Sequence, residues 1–267
     1  MNEITQQTLE TIVPSFRNAT DEIFNKVHDR LDFIQTKLYS DLELDGLSIT
    51  HNIEKIIVRH VCYAAAYHTI AQLDLVLTPT GFGIVSNQHV APASRERTAA
   101  LSSRLYQDAS DSFDLLIDLL RSTDWSGTQS AASLISRFVY SPTVARRSGM
   151  SQDMYGNEFA QAAHNLSLGE AYLSASISVE LYNHIVSQLR SGSRLTSHEQ
   201  HIFHLGCKLV ASIASDRSGS HILRDSLREY LERYADEILQ YKTSTLYSSL
   251  HGQRYENKQE DTAYFFG

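Results

Sequence analysis

A chain of 267 residues that is 42% apolar and 20% charged can fold as one large domain or two small ones, and folding buries enough surface for a full core. Its formal charge of −8, from 31 acidic against 23 basic residues, argues against a surface built to neutralise phosphates, and no basic cluster stands out beyond Arg146-Arg147. With 4 prolines and 12 glycines there is no room for a long low-complexity linker.

Cys62 and Cys207, the two cysteines, both fall within apolar helical patterns and read as reduced core residues rather than a framework of bridges. No apolar run approaches a membrane span, and MNEITQQTLE has acidic and polar residues where a signal peptide needs basic and apolar ones. The expectation is a protein made and used inside a cell, with no membrane partner.

In chain order, Ile4, Leu9, Ile12 and Val13 mark a short helix that Pro14 stops. A helix over 20–39 follows, with Asp21 and Glu22 in its first turn and an apolar stripe of Ile23, Val27, Leu31, Ile34 and Leu38. The next, over 51–72, carries an apolar face too broad for a solvent-facing helix and reads as the centre of the first half. Residues 73–87 read as a β-hairpin: two short β-prone runs flank Thr78-Pro79-Thr80-Gly81, where Pro and Gly set the turn. Pro92 and Ser94 then punctuate the start of a long amphipathic helix over 94–121.

Residues 122–157 hold a short helix near Ala131–Val139, and 141–156 read as a connector marked by Pro142, Gly149 and Gly156. Beyond it, 158–190 predicts one helix with a bend at Gly169. Thr196 and Glu199 form a capping box opening a helix over 198–216, and Ser220 caps another over 220–242. The order of elements thus occurs twice. The predicted fold is mainly α: a helical bundle of two pseudo-repeated three-helix halves, with a small β-hairpin inserted in the first. The expected division is 1–140 for the N-terminal half, 141–156 for the connector, 157–246 for the C-terminal half and 247–267 for an extended tail ending in Tyr264-Phe265-Phe266-Gly267. Three aromatics in a polar segment either dock on the chain's own core or insert into a neighbouring subunit.

Candidate chemistry is sparse. His198, His201, His204 and Cys207 recur at intervals of three, and each such step on a helix drifts by about 60°, so the four cannot face one ion. The pattern is also not H-E-x-x-H. No G-x-S-x-G elbow is present, and Gly81-Phe82-Gly83 is a lone G-x-G outside any phosphate-loop context. The sequence therefore predicts no catalytic residue, no metal ligand, no cofactor and no enzymatic activity.

ITQQTLETIVPSF, RLDFIQTKLYSDL, LTPTGFGIVSNQHVAPAS, FVYSPTVARRSG and YENKQEDTAYFFG, in that order over nearly the whole chain, resemble a family of uncharacterised phage and prophage proteins that looks like the head–tail connectors (adaptor or head-completion proteins) of tailed bacteriophages. The resemblance implies a structural virion protein, assembled in the bacterial host cytoplasm, that forms a homo-oligomeric ring. Its partners would be the portal protein and a tail or second connector protein. DNA would pass nearby without specific binding, which suits an acidic tunnel lining. The contact residues expected on this reading are Thr78, Pro79, Thr80, Gly81, Phe82 and Gly83 at the hairpin tip, with Tyr264, Phe265 and Phe266. Two other readings stay open: a host helical module binding a protein or ligand between its halves, and a metal-dependent helical enzyme using His198, His201 or Glu199.

Overall fold

In a computed structural model of the chain, the described residues are 4–17, 21–73, 76–78, 81–83 and 95–252. The chain begins with α1 (Gln6–Ile12), whose first turn is capped by the Thr5 hydroxyl accepting the Thr8 amide at 3.3 Å; Pro14 opens a 3-10 turn rather than extending the helix. The broad apolar face predicted near 51–72 becomes the axis of the first half. That helix, α3 (His51–Leu73), is flanked by α2 (Asp21–Asp41) and α4 (Arg95–Leu120), and Ile53, Ile57, Val61, Cys62, Ala65 and Ala66 are buried along it.

The far ends of α2 and α4 are clamped together. Trp125 is fully buried, and its indole N–H donates to the Leu42 carbonyl at 2.8 Å, which satisfies the one polar atom of a large apolar side chain. Glu43, held at φ 52, turns its carboxylate to the first amides of α5 (Gln129–Leu134), at 3.1 Å from Gln129 N. Ser130 adds a bond to the Asp41 carbonyl.

The segment 141–156 is part of the packed structure. Ser141 caps α6 (Pro142–Arg147), Pro142 and Ala145 are buried, and α6 touches both α4 and α10 (Ser197–Ala214). Beyond α7 (Gly156–Gln161), α10 is the axis of the second half, between α8 (Ala163–Ile177) and α11 (Ser220–Arg233). α9 (Val179–Arg190), α12 (Leu239–Lys242) and α13 (Thr245–His251) complete the chain's order. A continuous buried apolar cluster runs from Ile4 to Tyr241, so the halves share one core.

The predicted fold class is corrected on two points. The molecule is a helical assembly with thirteen α-helices among the described residues, not two matching sets of three. The expected single helix over 158–190 is broken at Ala162 and again at Ser178, and the one over 220–242 ends at Arg233 before α12. Nor do the described residues of 73–87 form a β-hairpin inserted as a layer of the fold. Among the described residues, extended pairing there is limited to β1 (Val76–Thr78) against β2 (Gly81–Gly83), three residues each, too short to form a stable β element of its own.

Gly169 is not a bend. It lies inside the continuous α8, where an added Cβ would come within 2.9 Å of the Val210 carbonyl oxygen, so its lack of a side chain is what lets α8 and α10 approach. The actual break sits at Ser178, a buried non-glycine residue at φ 85, ψ 146, whose hydroxyl accepts the Leu181 amide at 3.2 Å and starts α9. The capping box of α10 forms as its sequence predicts, with both Thr196 and Glu199 engaged. Before α11, Gly219 rather than Ser220 takes the cap position, at φ 100.

Candidate functional site

A groove of about 690 Å³ opens along α2, α3 and α4 and is closed at one side by residues 134–159. Ala64 and Ala109, small and nearly buried, leave depth between α3 and α4; Ile34, Leu38, Tyr67, Phe113 and Phe159 give apolar and aromatic walls. Phe33 lines the mouth at 58% exposure, beside Arg30 and Lys37 one turn away on either side of it.

The polar groups of the groove are engaged in holding its walls. His60 places Nδ1 2.9 Å from the Ala109 carbonyl and its ring 5.4 Å from that of Phe113; burial pushes its pKa below the usual histidine value, the carbonyl opposing this in part. The Asp114 carboxylate accepts the Thr143 amide at 2.9 Å, in the first turn of α6, while burial raises its pKa against that bond. Tyr106 accepts the Asn157 amide at 2.5 Å and donates to Glu158 at 3.2 Å, tying α4 to α7. Arg146 donates to Asp111 at 2.6 Å and to the Met154 carbonyl at 2.8 Å, and lies 4.4 Å from the Tyr155 ring centroid. Lys37 and Asp41 pair at 2.8 Å on the rim.

Ser141, on the groove wall, uses its hydroxyl to cap Val144. What the groove offers is apolar and aromatic contact under a rim carrying Arg30, Lys37 and His68.

The second half carries exposed apolar side chains of its own. Leu168 and Tyr172 lie one turn apart on α8, at 56% and 40% exposure, and Ile222 is 62% exposed on the adjacent α11. Arg224 joins the two helices by donating to the Tyr172 hydroxyl at 3.1 Å.

The histidine series separates on the surface of α10. His198 lies between the Tyr230 hydroxyl at 2.8 Å and Glu237 at 3.0 Å, His201 stacks on Tyr230 at 4.2 Å between centroids, and His204 is exposed beside Phe203. Glu199 is drawn to its own cap and to His184 at 2.7 Å. Burial opposes its charge, but the bonds from Thr196 and His184 together hold its pKa below the usual carboxylate range. Among the described residues no three His, Cys, Asp or Glu side chains converge as a metal-ligand set.

Of the contact residues expected from sequence, Thr78 pairs with Gly81, Leu77 with Phe82 and Val76 with Gly83 in the short ribbon. Pro79, Thr80, Tyr264, Phe265 and Phe266 lie outside the described residues. The groove escaped the sequence reading, although Phe33 offered a signal: it is a large aromatic one position off the Leu31–Ile34 stripe of α2, on a face otherwise polar.

Residues 20–133 match the model of a family of unknown function, DUF6712. The matched region runs from the start of α2 to the end of α5, so it spans the three long helices of the groove and the Trp125 clamp, but not the wall built by 134–159. No curated protein and no solved structure matches the chain. Among the described residues no helix is long and apolar enough to cross a membrane.

Proposed function

We propose that this chain is a structural assembly protein, a subunit of a head–tail connector ring that docks between portal and tail of a tailed bacteriophage without catalysing a reaction. The observation that carries the reading is the pair of unlike apolar surfaces. The Phe33 groove lies on the first half and the Leu168–Tyr172–Ile222 patch on the second. A head-to-tail ring needs two different complementary faces on each subunit, whereas a two-fold dimer needs one face that matches itself. The polar groups of the groove support the same reading, since they fix walls rather than converge on a reacting atom. The formal charge of −8 suits a ring through which DNA passes without being gripped.

The groove by itself favours a second reading, a helical module that binds a protein segment or an apolar ligand, because its volume and lining are those of a ligand pocket. The two are separated by mixing the purified protein with portal protein in mass photometry or negative-stain microscopy. Rings or portal-bound copies are expected; a strict monomer that ignores portal overturns the connector reading.

A further inference from the structure

We infer that the groove takes a small molecule with an apolar body and one cationic head, an ammonium group, held by the Asp114 carboxylate. The inference rests on the second reading above, the groove as a ligand pocket, and names the class of ligand.

The charges of the groove give the first argument. Arg30, Lys37, Asp41 and His68 stand on its exposed rim, where Lys37 and Asp41 pair at 2.8 Å and cancel. Deeper in, burial pushes His60 toward its neutral form. Among the described residues this leaves Asp114, 8% exposed, as the buried carboxylate that lines the groove. Buried charges are ordinarily balanced by an ion partner. None of the described Lys, Arg or His side chains forms an ion pair with this one. Arg146 eases its charge from a distance, but the guanidinium itself is engaged by Asp111 at 2.6 Å, the Met154 carbonyl and the Thr143 hydroxyl.

Unused bonding capacity is the second argument. An ionised carboxylate offers about four acceptor sites. Glu170, buried in the core, meets three donors. Asp114 takes the Thr143 amide at 2.9 Å; burial raises its pKa, and the Thr143 hydroxyl and amide oppose that rise. Ser110, one turn earlier on α4, also lines the groove, and its hydroxyl carries no bond among the described residues. An ammonium brings three donors and no acceptor, which matches a carboxylate beside a hydroxyl.

The walls give the third argument. Tyr67, Tyr106 and Phe113 present aromatic rings, whose faces attract a cation, and a volume of about 690 Å³ leaves room for an apolar body behind the head. Arg30 acts at the exposed mouth, through water, where a charge contact is about four times weaker than at a partly buried site. The interior therefore sets the sign of the ligand.

The test titrates the isotope-labelled full chain at neutral pH with n-octylammonium, n-octanol and n-octanoate, following the amide chemical shifts of α4. Octylammonium should bind about tenfold more tightly than octanol, and octanoate more weakly than either. Asp114→Asn, which keeps an acceptor for the Thr143 amide, should weaken octylammonium by about the same factor and leave octanol within about twofold. The order of the three probes is read on the unaltered protein, so it decides the matter even where the variant does not fold. Equal binding of octanol and octylammonium overturns the inference and leaves the ligand-pocket reading standing; no binding by any probe overturns both. A preference for octanoate assigns control to Arg30 and overturns the inference. So does a wild type that ignores all three probes but self-associates in mass photometry until Asp114→Asn is introduced, since the cation then belongs to a second copy. Portal is absent throughout, so the connector reading keeps its own test.

Discussion

The Glu170 carboxylate accepts the Val139 amide at 2.8 Å across 31 positions of chain, with neither residue exposed to solvent. Its other oxygen accepts the Phe138 amide at 3.2 Å and the Tyr182 hydroxyl at 2.8 Å. This one side chain of α8 therefore fixes the irregular strand of chain that carries the first half into α6, and with it one wall of the groove. Replacing it by glutamine puts an amide nitrogen where N–H and O–H donors point. Glu170→Gln should cost about 1–3 kcal/mol, the penalty for buried donors losing their acceptor, as measured by urea unfolding.

The same residue sets a pH dependence. Burial raises the Glu170 pKa above its ordinary 4.5, with the Val139, Tyr182 and Phe138 bonds opposing in part. Between 4.5 and that raised value the native state keeps a proton the unfolded chain has released, so stability falls as pH rises through the window. The contribution is complete below pH 4.5 and lost above the folded pKa. Glutamine does not titrate, so the stability advantage of the wild type over Glu170→Gln should be larger near pH 4.5 than at neutrality.

Glu180 behaves in the opposite sense. The Thr245 hydroxyl and amide both donate to its carboxylate and hold its pKa down to about 2, which ties α13 to α9. That tie is complete above the ordinary carboxylate value of 4.5 and is lost as pH falls toward 2. Hydrogen exchange in α13 should accelerate over this acid range, and Glu180→Gln should exchange quickly throughout it.

Ser178 gives a test of sign. Its left-handed φ of 85 costs a residue with a Cβ about 1–3 kcal/mol, while its hydroxyl caps α9. Glycine relieves the backbone and loses only a few tenths as a cap, so Ser178→Gly should stabilise the protein; Ser178→Ala keeps the cost and loses the cap, destabilising by about 1 kcal/mol. Thermal unfolding of the two variants should move in opposite directions.

The helices with a clean apolar stripe were readable from the sequence. The bounds of α2, α3, α4 and α10 follow from the spacing of residues such as Val27, Leu31 and Leu38, and the Thr196–Glu199 box marks the start of α10 outright. The break at Ser178 was not, because no glycine or proline marks it and the apolar period continues through Ile177 and Leu181. Gly169 misled in the reverse direction: its role is contact with Val210, a residue of another helix, which no local pattern reports. Glu170 belongs to the same class, since its burial depends on amides 31 and 32 positions earlier. The groove is built from α2, α3, α4 and the 134–159 wall together, so single stripes do not reveal it; Phe33, out of register with its stripe, was the one local sign.

Phe33 also separates fold from function. It is largely exposed, so Phe33→Asp should change unfolding free energy by no more than about 0.5 kcal/mol while placing a charge at the mouth of an apolar groove. Mass photometry of the wild type with portal protein, repeated with Phe33→Asp, tests the connector account most directly. The account predicts rings or portal-bound copies for the wild type and their loss in the variant. A wild-type protein that stays monomeric beside portal, or a Phe33→Asp variant that assembles as well as the wild type, would contradict it.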